Sequence, residues 1–228
     1  MAVISVTSPK GGAGKTTTAT VLSTILAERG QKVILIDADP NEAVTRWASR
    51  TEVVPPNLTV LPVANEQKFV SQLDELSGLA EFAILDLEGR ASRTVANATA
   101  LSDFVIIPVK GSQLDAEQAT RHIELIHDQE RVIRRPIPFG LLFTQTHPAI
   151  TPKTQAFVAG TFKDNGEPVF SVQLCEREAF RAIFSFGGTL AGLKGKGVGG
   201  LAKAVENADA FVDEFLARLA GGSERAAA

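Results

Sequence analysis

Apolar residues lie along this chain mainly in short continuous runs, separated by longer segments in which polar and apolar residues mix. The runs are rich in Val, Ile, Leu and Phe, and continuous runs indicate strands that are buried on both faces of a sheet. They predict strands at 2–7, 33–37, 58–63, 82–86, 104–109, 139–143 and 169–173. The intervening segments predict helices at 15–29, 41–50, 65–79, 91–101, 113–130, 152–162, 177–185 and 201–219.

Strands and helices alternate along the whole sequence. This alternation predicts an α/β fold with a doubly wound, mostly parallel sheet and helices on both faces. A chain of 228 residues is long enough for one large α/β core and short for two, so we expect a single domain over 1–220. The small and polar residues of 221–228 predict a disordered tail.

The composition indicates a cytoplasmic protein. The chain has one cysteine, Cys175, which excludes an internal disulfide framework, and its formal net charge is −3. No apolar run approaches 18 residues, and the sequence begins directly with a strand rather than with a basic and apolar leader. We therefore expect neither secretion nor a membrane anchor.

A glycine-rich segment at 10–18, with the sequence KGGAGKTTT, follows the first predicted strand and precedes a predicted helix. Glycines let backbone N–H groups approach a phosphate, and the helix that follows presents its positive N-terminal end. We expect Lys15 to contact the β- and γ-phosphates of a nucleoside triphosphate, and the hydroxyl of Thr16 to bind Mg²⁺. The segment is therefore predicted to be a phosphate-binding loop, or P-loop.

Acidic residues end two further strands. The run 33–36 leads into Asp37 and Asp39, and the run 82–85 leads into Asp86. The carboxyl ends of parallel strands are where ligands bind in such sheets, and carboxylates suit magnesium and water chemistry. We predict that Asp86 holds Mg²⁺ and that Asp37 supports the metal or the loop.

The P-loop departs from the usual pattern G-x-x-x-x-G-K-[ST], because Pro9 stands where the first glycine is expected and a second lysine, Lys10, follows it. The pattern K-G-G-x-G-K-[ST] resembles the deviant P-loop of the ParA/MinD family of ATPases. The segment 33–40, VILIDADP, also resembles a signature of that family. The resemblance covers nearly the whole chain and implies a P-loop NTPase fold, ATP and Mg²⁺ as cofactors, and an ATP-dependent homodimer.

The same resemblance assigns roles to single residues. Lys10 would reach the phosphates of the partner subunit, and Asp39 would orient the attacking water. With Lys15, these two are the predicted catalytic residues. Adenine would be read near Thr144, although the family often has an asparagine after this strand and Gln145 is an alternative. The predicted nucleotide-binding residues are Lys10, Gly11, Gly12, Ala13, Gly14, Lys15, Thr16, Thr17 and Thr144.

One segment differs from the family pattern. The family continues with prolines after its third acidic strand end, whereas this chain reads Asp86-Leu87-Glu88-Gly89-Arg90. Gly89 could still give the turn beside the γ-phosphate its freedom. Glu88 is an alternative general base to Asp39, although an exposed loop glutamate is usually only solvated.

A basic segment lies near the end of the chain. From 177 to 203 there are five basic residues and one acid, a local charge of +4 within a chain of net charge −3. Such a patch attracts a phosphate backbone without base contacts, and family members bind nonspecific DNA through this part of the fold. The alternative is a solvated basic face. The predicted DNA-binding residues are Arg177, Arg181, Lys194, Lys196 and Lys203.

Three functions are compatible with the resemblance. The first is a ParA-type ATPase that associates with the nucleoid, is stimulated by a small partner protein, and positions a plasmid, a chromosome or a protein cluster. The second is a MinD-like ATPase that cycles on a membrane, but the last predicted helix carries Glu206, Asp209, Asp213 and Glu214, which an anionic membrane would repel. The third is an enzyme of cofactor synthesis.

Overall fold

The computed structural model describes residues 1–90 and 92–226, and the side chains of this part up to residue 221. Its strands are β1 (Ala2–Val6), β2 (Val33–Ala38), β3 (Leu58–Pro62), β4 (Phe82–Leu87), β5 (Phe104–Val109), β6 (Phe139–Thr146) and β7 (Leu174–Cys175). They form one sheet in the order β3-β2-β4-β1-β5-β6-β7, and all its pairs are parallel. The predicted fold class is confirmed.

The helices alternate with the strands as expected. They are α1 (Lys15–Glu28), α2 (Ala43–Arg50), α3 (Phe69–Leu76), α4 (Arg93–Leu101), α5 (Gln113–Ile133), α6 (Lys153–Asp164), α7 (Glu178–Phe186) and α8 (Leu201–Ala226), with a 3₁₀ turn at Ala191–Leu193. Helix α8 continues through residues 221–226, where the sequence predicted a disordered tail. Residues 227 and 228 lie outside the described residues.

The seventh strand was predicted in the wrong place. Of the segment 169–173, Val169 makes a single bridge to Leu141, and the paired strand begins only at Leu174. The reason lies in α8, because the carboxylate of Glu214 accepts hydrogen bonds from the N–H groups of Ser171 and Val172, both at 2.8 Å. The Glu214 side chain therefore occupies two backbone N–H groups that would otherwise be available for pairing with a strand.

Helix α1 is central to the fold because it joins the P-loop to the core. Its residues from Thr18 to Ala27 are buried against the sheet and α8. At its C-terminal end, Arg29 donates to Asp209 at 2.7 Å and to Asp213 at 2.6 Å, which ties α1 to α8. Burial on both sides fixes the direction in which the N-terminus of α1 points.

The helices also bear on the membrane question. In the part of the chain that the structure describes, no helix combines the length and the apolar character needed to cross a bilayer.

Candidate functional site

The predicted site residues meet at the carboxyl ends of three adjacent strands. Strand β4 lies between β1 and β2, and Asp86 pairs in register with Val6 on one side and with Asp37 on the other. Strand β1 leads directly into the P-loop, which ends at α1. Because the strands are parallel, the loop and both carboxylates share one edge of the sheet.

The P-loop has the backbone geometry that an anion site needs. Gly12 and Gly14 have φ angles of +72° and +92°, a left-handed conformation that side chains disfavour. Gly14 is the N-cap of α1, and no side chain caps that terminus. The first N–H groups of α1 are therefore available to a ligand at the positive end of the helix.

Lys15 is placed at the base of this loop, and the residue is only 7% exposed. The turn after β4 lies against it, since a Cβ added to Gly89 would lie 3.4 Å from the ammonium of Lys15 and 3.2 Å from the carbonyl oxygen of Ser8. Gly89 has an ordinary φ, so its lack of a side chain here provides space for Lys15.

Two residues near the end of β6 brace the loop from the other side. The hydroxyl of Thr144 donates to the carbonyl of Ala13 at 2.7 Å, and the amide of Gln145 donates to the carbonyl of Gly12 at 2.8 Å. The Thr144 side chain also lies against Gly14. These contacts fix the P-loop backbone, a role that the sequence analysis did not assign to either residue.

Asp86 is fully buried, and neither of its carboxylate oxygens has a hydrogen-bond partner in the part of the chain that the structure describes. Burial raises the pKa of Asp86 to about 7, and the charges of Asp37 and Asp39 act in the same direction. The hydroxyl of Thr16 and the charge of Lys15 oppose the shift. An unpaired buried carboxylate beside a threonine hydroxyl fits a divalent cation.

The residues around Asp86 fit Mg²⁺ held partly by water and phosphate. Among the described residues, no group of three His, Cys, Asp or Glu side chains could hold a metal by itself. Mg²⁺ commonly keeps several waters and takes one or two protein oxygens together with substrate phosphates, which agrees with Thr16 and Asp86 as the protein contribution.

Asp37 and Asp39 have different surroundings. The carboxylate of the buried Asp37 accepts the N–H of Thr45 at 2.7 Å, in the first turn of α2. Asp39 is half-buried, and one of its oxygens accepts the N–H and the side-chain amide of Asn41 at 2.9 and 2.8 Å. Asp37 thus supports the start of α2, while Asp39 presents a carboxylate at the edge of the site.

Comparison with known proteins identifies the family. A family model described as VirC1 protein matches residues 1–193. Protein ParA of Rhizobium radiobacter is 39% identical over 219 residues, which are 96% of this chain and 98% of that protein. The chain belongs to the ParA/MinD family of partition and positioning ATPases.

Solved structures agree with this assignment at the level of the fold. A variant of McdA from Cyanothece in complex with ATP superposes with a TM-score of 0.74 at 17% identity, covering 94% of this chain and 96% of that one. A plasmid partition protein from Borrelia burgdorferi bound to AMPPNP gives 0.73 at 19% identity, covering 95% and 99%.

Lys10, the additional lysine at the start of this ParA/MinD protein's P-loop, is folded back onto its own chain. The ammonium of Lys10 forms an ion pair with Asp115 in the first turn of α5, and the hydroxyl of Ser112 also bonds to this carboxylate. Burial alone would raise the pKa of Asp115, but the hydrogen bonds from Lys10 and Ser112 outweigh it and lower the pKa. In this conformation Lys10 does not reach outward to a partner.

A cavity of about 250 Å³ opens beside the P-loop, where a nucleobase would follow the phosphates. It is lined by residues of α1, β6, β7 and α7, including Thr17, Thr144, Cys175, Arg177 and Arg181. Arg181 is in addition paired with Glu176 and Glu178, at 2.6 and 2.9 Å. Two of the five predicted DNA-binding residues therefore lie at the cavity beside the P-loop.

The other three predicted DNA-binding residues lie apart from this cavity. Lys194 and Lys196 follow the 3₁₀ turn, and Lys203 lies in the first turn of α8. All three are exposed, and none makes an ion pair within the described residues. We call Lys194, Lys196 and Lys203 the lysine patch.

Asp115 and Lys110 are site residues that the sequence patterns did not predict. Both follow β5, whose carboxyl end lies on the same edge as the P-loop, and Ser112 and Asp115 have the spacing of a helix capping box. The position of β5 next to β1 was the signal that could have drawn attention to them.

Proposed function

We propose that this chain is a ParA-type ATPase that binds Mg²⁺ and ATP, dimerises in the ATP state, associates with nonspecific DNA, and hydrolyses ATP to position a cargo. The observation that best supports this proposal is the convergence of Lys15, Asp86 and Asp39 on one edge beside an uncapped helix N-terminus. The cargo would be a plasmid, a chromosome or a protein cluster, and a small partner protein would stimulate hydrolysis.

Phosphate binding follows from the geometry of the loop. The N–H groups at the start of α1 would donate to the phosphate oxygens, and the ammonium of Lys15 would neutralise the β- and γ-phosphates. Its burial strengthens this contact because water does not screen it. Gly89 keeps the neighbouring turn clear of that ammonium.

Thr16 and Asp86 would hold Mg²⁺, directly or through water. The metal, when bound, would neutralise charge on the phosphate oxygens and give the buried Asp86 carboxylate its counter-charge. Thr144 would line the nucleoside side while its hydroxyl keeps Ala13 in place.

Hydrolysis needs a water molecule in line with the bond between the γ-phosphorus and the bridging oxygen. The carboxylate of Asp39 would accept a hydrogen bond from this water and orient its lone pair towards phosphorus. The bond from water to phosphorus forms as the bond to the bridging oxygen breaks, which leaves ADP and phosphate.

Dimerisation would require Lys10 to leave Asp115. The family role places this lysine on the phosphates of the partner subunit, and its ammonium would have to give up the ion pair with Asp115 to make that contact. The folded-back position would thus belong to the monomer.

DNA association would use the lysine patch, because its three ammonium groups are exposed and free of carboxylate partners within the described residues. Two such patches on one duplex would gain affinity from avidity, so the dimer would bind more tightly than the monomer. Arg177 and Arg181 would contribute less, since both line the nucleotide cavity and Arg181 already has two acidic partners.

We expect the ATP-bound wild-type protein to retard DNA of any sequence, and the variant with Lys194→Glu and Lys196→Glu to bind about tenfold or more weakly. The logarithm of its affinity should fall less steeply with salt, by about one unit for each lysine lost. Fluorescence anisotropy with labelled duplexes at several salt concentrations measures both effects.

The matched control changes two exposed lysines of α6, with Lys153→Glu and Lys163→Glu, so that the net charge changes equally. This control should keep most of the affinity, and both variants should bind ATP normally. Equal DNA binding by the patch variant and the wild type would reduce the patch to a solvated face. Failure of the wild type to bind any duplex with ATP would contradict the DNA association itself.

A further inference from the structure

Asp115 is a carboxylate that cannot be left without a cation. Its side chain is only 4% exposed, and its ion-pair partner is Lys10. The hydroxyl of Ser112 adds a hydrogen bond and the N-terminus of α5 adds a favourable dipole, but neither carries a full positive charge. A buried carboxylate that loses its only cation is strongly destabilised.

Lys110 is a second cation whose charge acts on this carboxylate. It follows β5, two residues before the N-cap of α5, and is half-buried. Its ammonium lies beside the P-loop, 3.9 Å from the position that a Cβ on Gly12 would occupy. Its charge already helps to lower the pKa of Asp115, and it makes no ion pair among the described residues.

We infer that Lys110 replaces Lys10 at Asp115 when Lys10 leaves to contact the partner's phosphates. This inference rests on the proposed function, since it is dimerisation that would take the ammonium of Lys10 away from Asp115 of the same chain. Lys110 is then a positioning residue. It touches no reacting atom, but its positive charge compensates Asp115 when the ion pair between Lys10 and Asp115 breaks. The exchange keeps one cation on Asp115 in both the monomer and the dimer.

The competing role for Lys110 is direct contact with a phosphate, because its ammonium is close to Gly12 of the P-loop. The two roles differ in the step they affect. A phosphate ligand would contribute to ATP binding by the monomer, whereas a replacement cation would contribute only when Lys10 is released. Measurements on the monomer and on the dimer therefore separate them.

The experiment compares Lys110→Met, Lys110→Arg, Asp115→Asn and the double variant that combines Lys110→Met with Asp115→Asn. Calorimetry at low protein concentration gives the ATP affinity of the monomer. Sedimentation with a nonhydrolysable ATP analogue gives the dissociation constant of the dimer. Lys153→Met on α6 is the control for loss of a lysine elsewhere.

We expect Lys110→Met to keep monomer ATP affinity within about twofold and to weaken the dimer about ten- to a hundredfold, because Asp115 would lose its replacement cation. Lys110→Arg should dimerise like the wild type, since arginine keeps the charge. In the Asp115→Asn background the carboxylate is gone, so Lys110→Met should no longer weaken the dimer. That rescue is a result that simple loss of folding would not give.

Three results would overturn the inference: a normal dimer in Lys110→Met, a loss of ATP affinity in its monomer, or an equal loss of dimer in the Asp115→Asn background. If circular dichroism shows that Asp115→Asn does not fold, the contrast between Lys110→Met and Lys110→Arg still shows whether the dimer needs a positive charge at position 110. A wild-type protein that stays monomeric with the analogue would instead contradict the proposed function, and the inference with it.

Discussion

Lys15→Ala is expected to lower the affinity for ATP by about 10²- to 10⁴-fold, so that binding becomes undetectable at ordinary nucleotide concentrations. Lys15 is the buried cation at the base of the P-loop, and it sits beside the turn that would face the γ-phosphate. No other ammonium in the described part of the chain combines that burial with that position. Isothermal titration calorimetry with Mg²⁺ and ATP measures the loss.

The control for this variant is Lys32→Ala, which removes an exposed lysine before β2 and should leave ATP affinity unchanged. Thermal unfolding without nucleotide must also be recorded, because Lys15 offsets part of the cost of the buried Asp86 carboxylate. A folded Lys15→Ala protein with near wild-type affinity would remove the assignment of 10–18 as the phosphate-binding loop.

Asp39→Ala is expected to bind ATP and to dimerise, but to hydrolyse ATP about 10²- to 10⁴-fold more slowly than the wild type. The P-loop and Lys15 are untouched by this change, whereas the carboxylate that would orient water is lost. Release of phosphate under single-turnover conditions measures the hydrolytic step, and calorimetry measures binding.

Asp39→Asn separates the chemistry from the local fold, because its side-chain oxygen can still accept the N–H of Asn41 while the negative charge is removed. We expect Asp39→Asn to be nearly as slow as Asp39→Ala. Turnover within about threefold of the wild type in both variants would transfer the role to Glu88, which Glu88→Gln then tests.

The strands that form the nucleotide edge could be predicted because their apolar runs are continuous and each ends in a recognisable group. β1 precedes the P-loop, while β2 and β4 each carry an aspartate just before their last residue, and these patterns are local to the sequence. The place of β7 could not be predicted, because it depends on Glu214 of α8, which lies 43 and 42 positions from the two residues before β7 that it bonds. Helix α8 was likewise longer than its apolar pattern indicated.

The sequence placed Lys15, Asp39 and Asp86 at one edge, and in the structure the strands that lead to them, β1, β2 and β4, are adjacent and parallel. It could not reveal that Lys10 is paired with Asp115 within the chain, because that contact joins residues that are distant in sequence. It also treated the basic residues from 177 to 203 as one patch, whereas Arg177 and Arg181 line the cavity beside the P-loop. The residue types indicated the positive charge, but only the fold separates the two arginines at the cavity from the lysine patch.

The contact of Glu214 with Ser171 and Val172 also limits how copies of this protein can associate. An edge strand with free N–H groups can pair with the edge of another sheet, which is a common route to fibres and aggregates. Here β7 is two residues long, and the N–H groups just before it are already bonded to α8. At the β7 edge of the sheet, copies of this protein would therefore have to associate through side-chain surfaces rather than by strand addition.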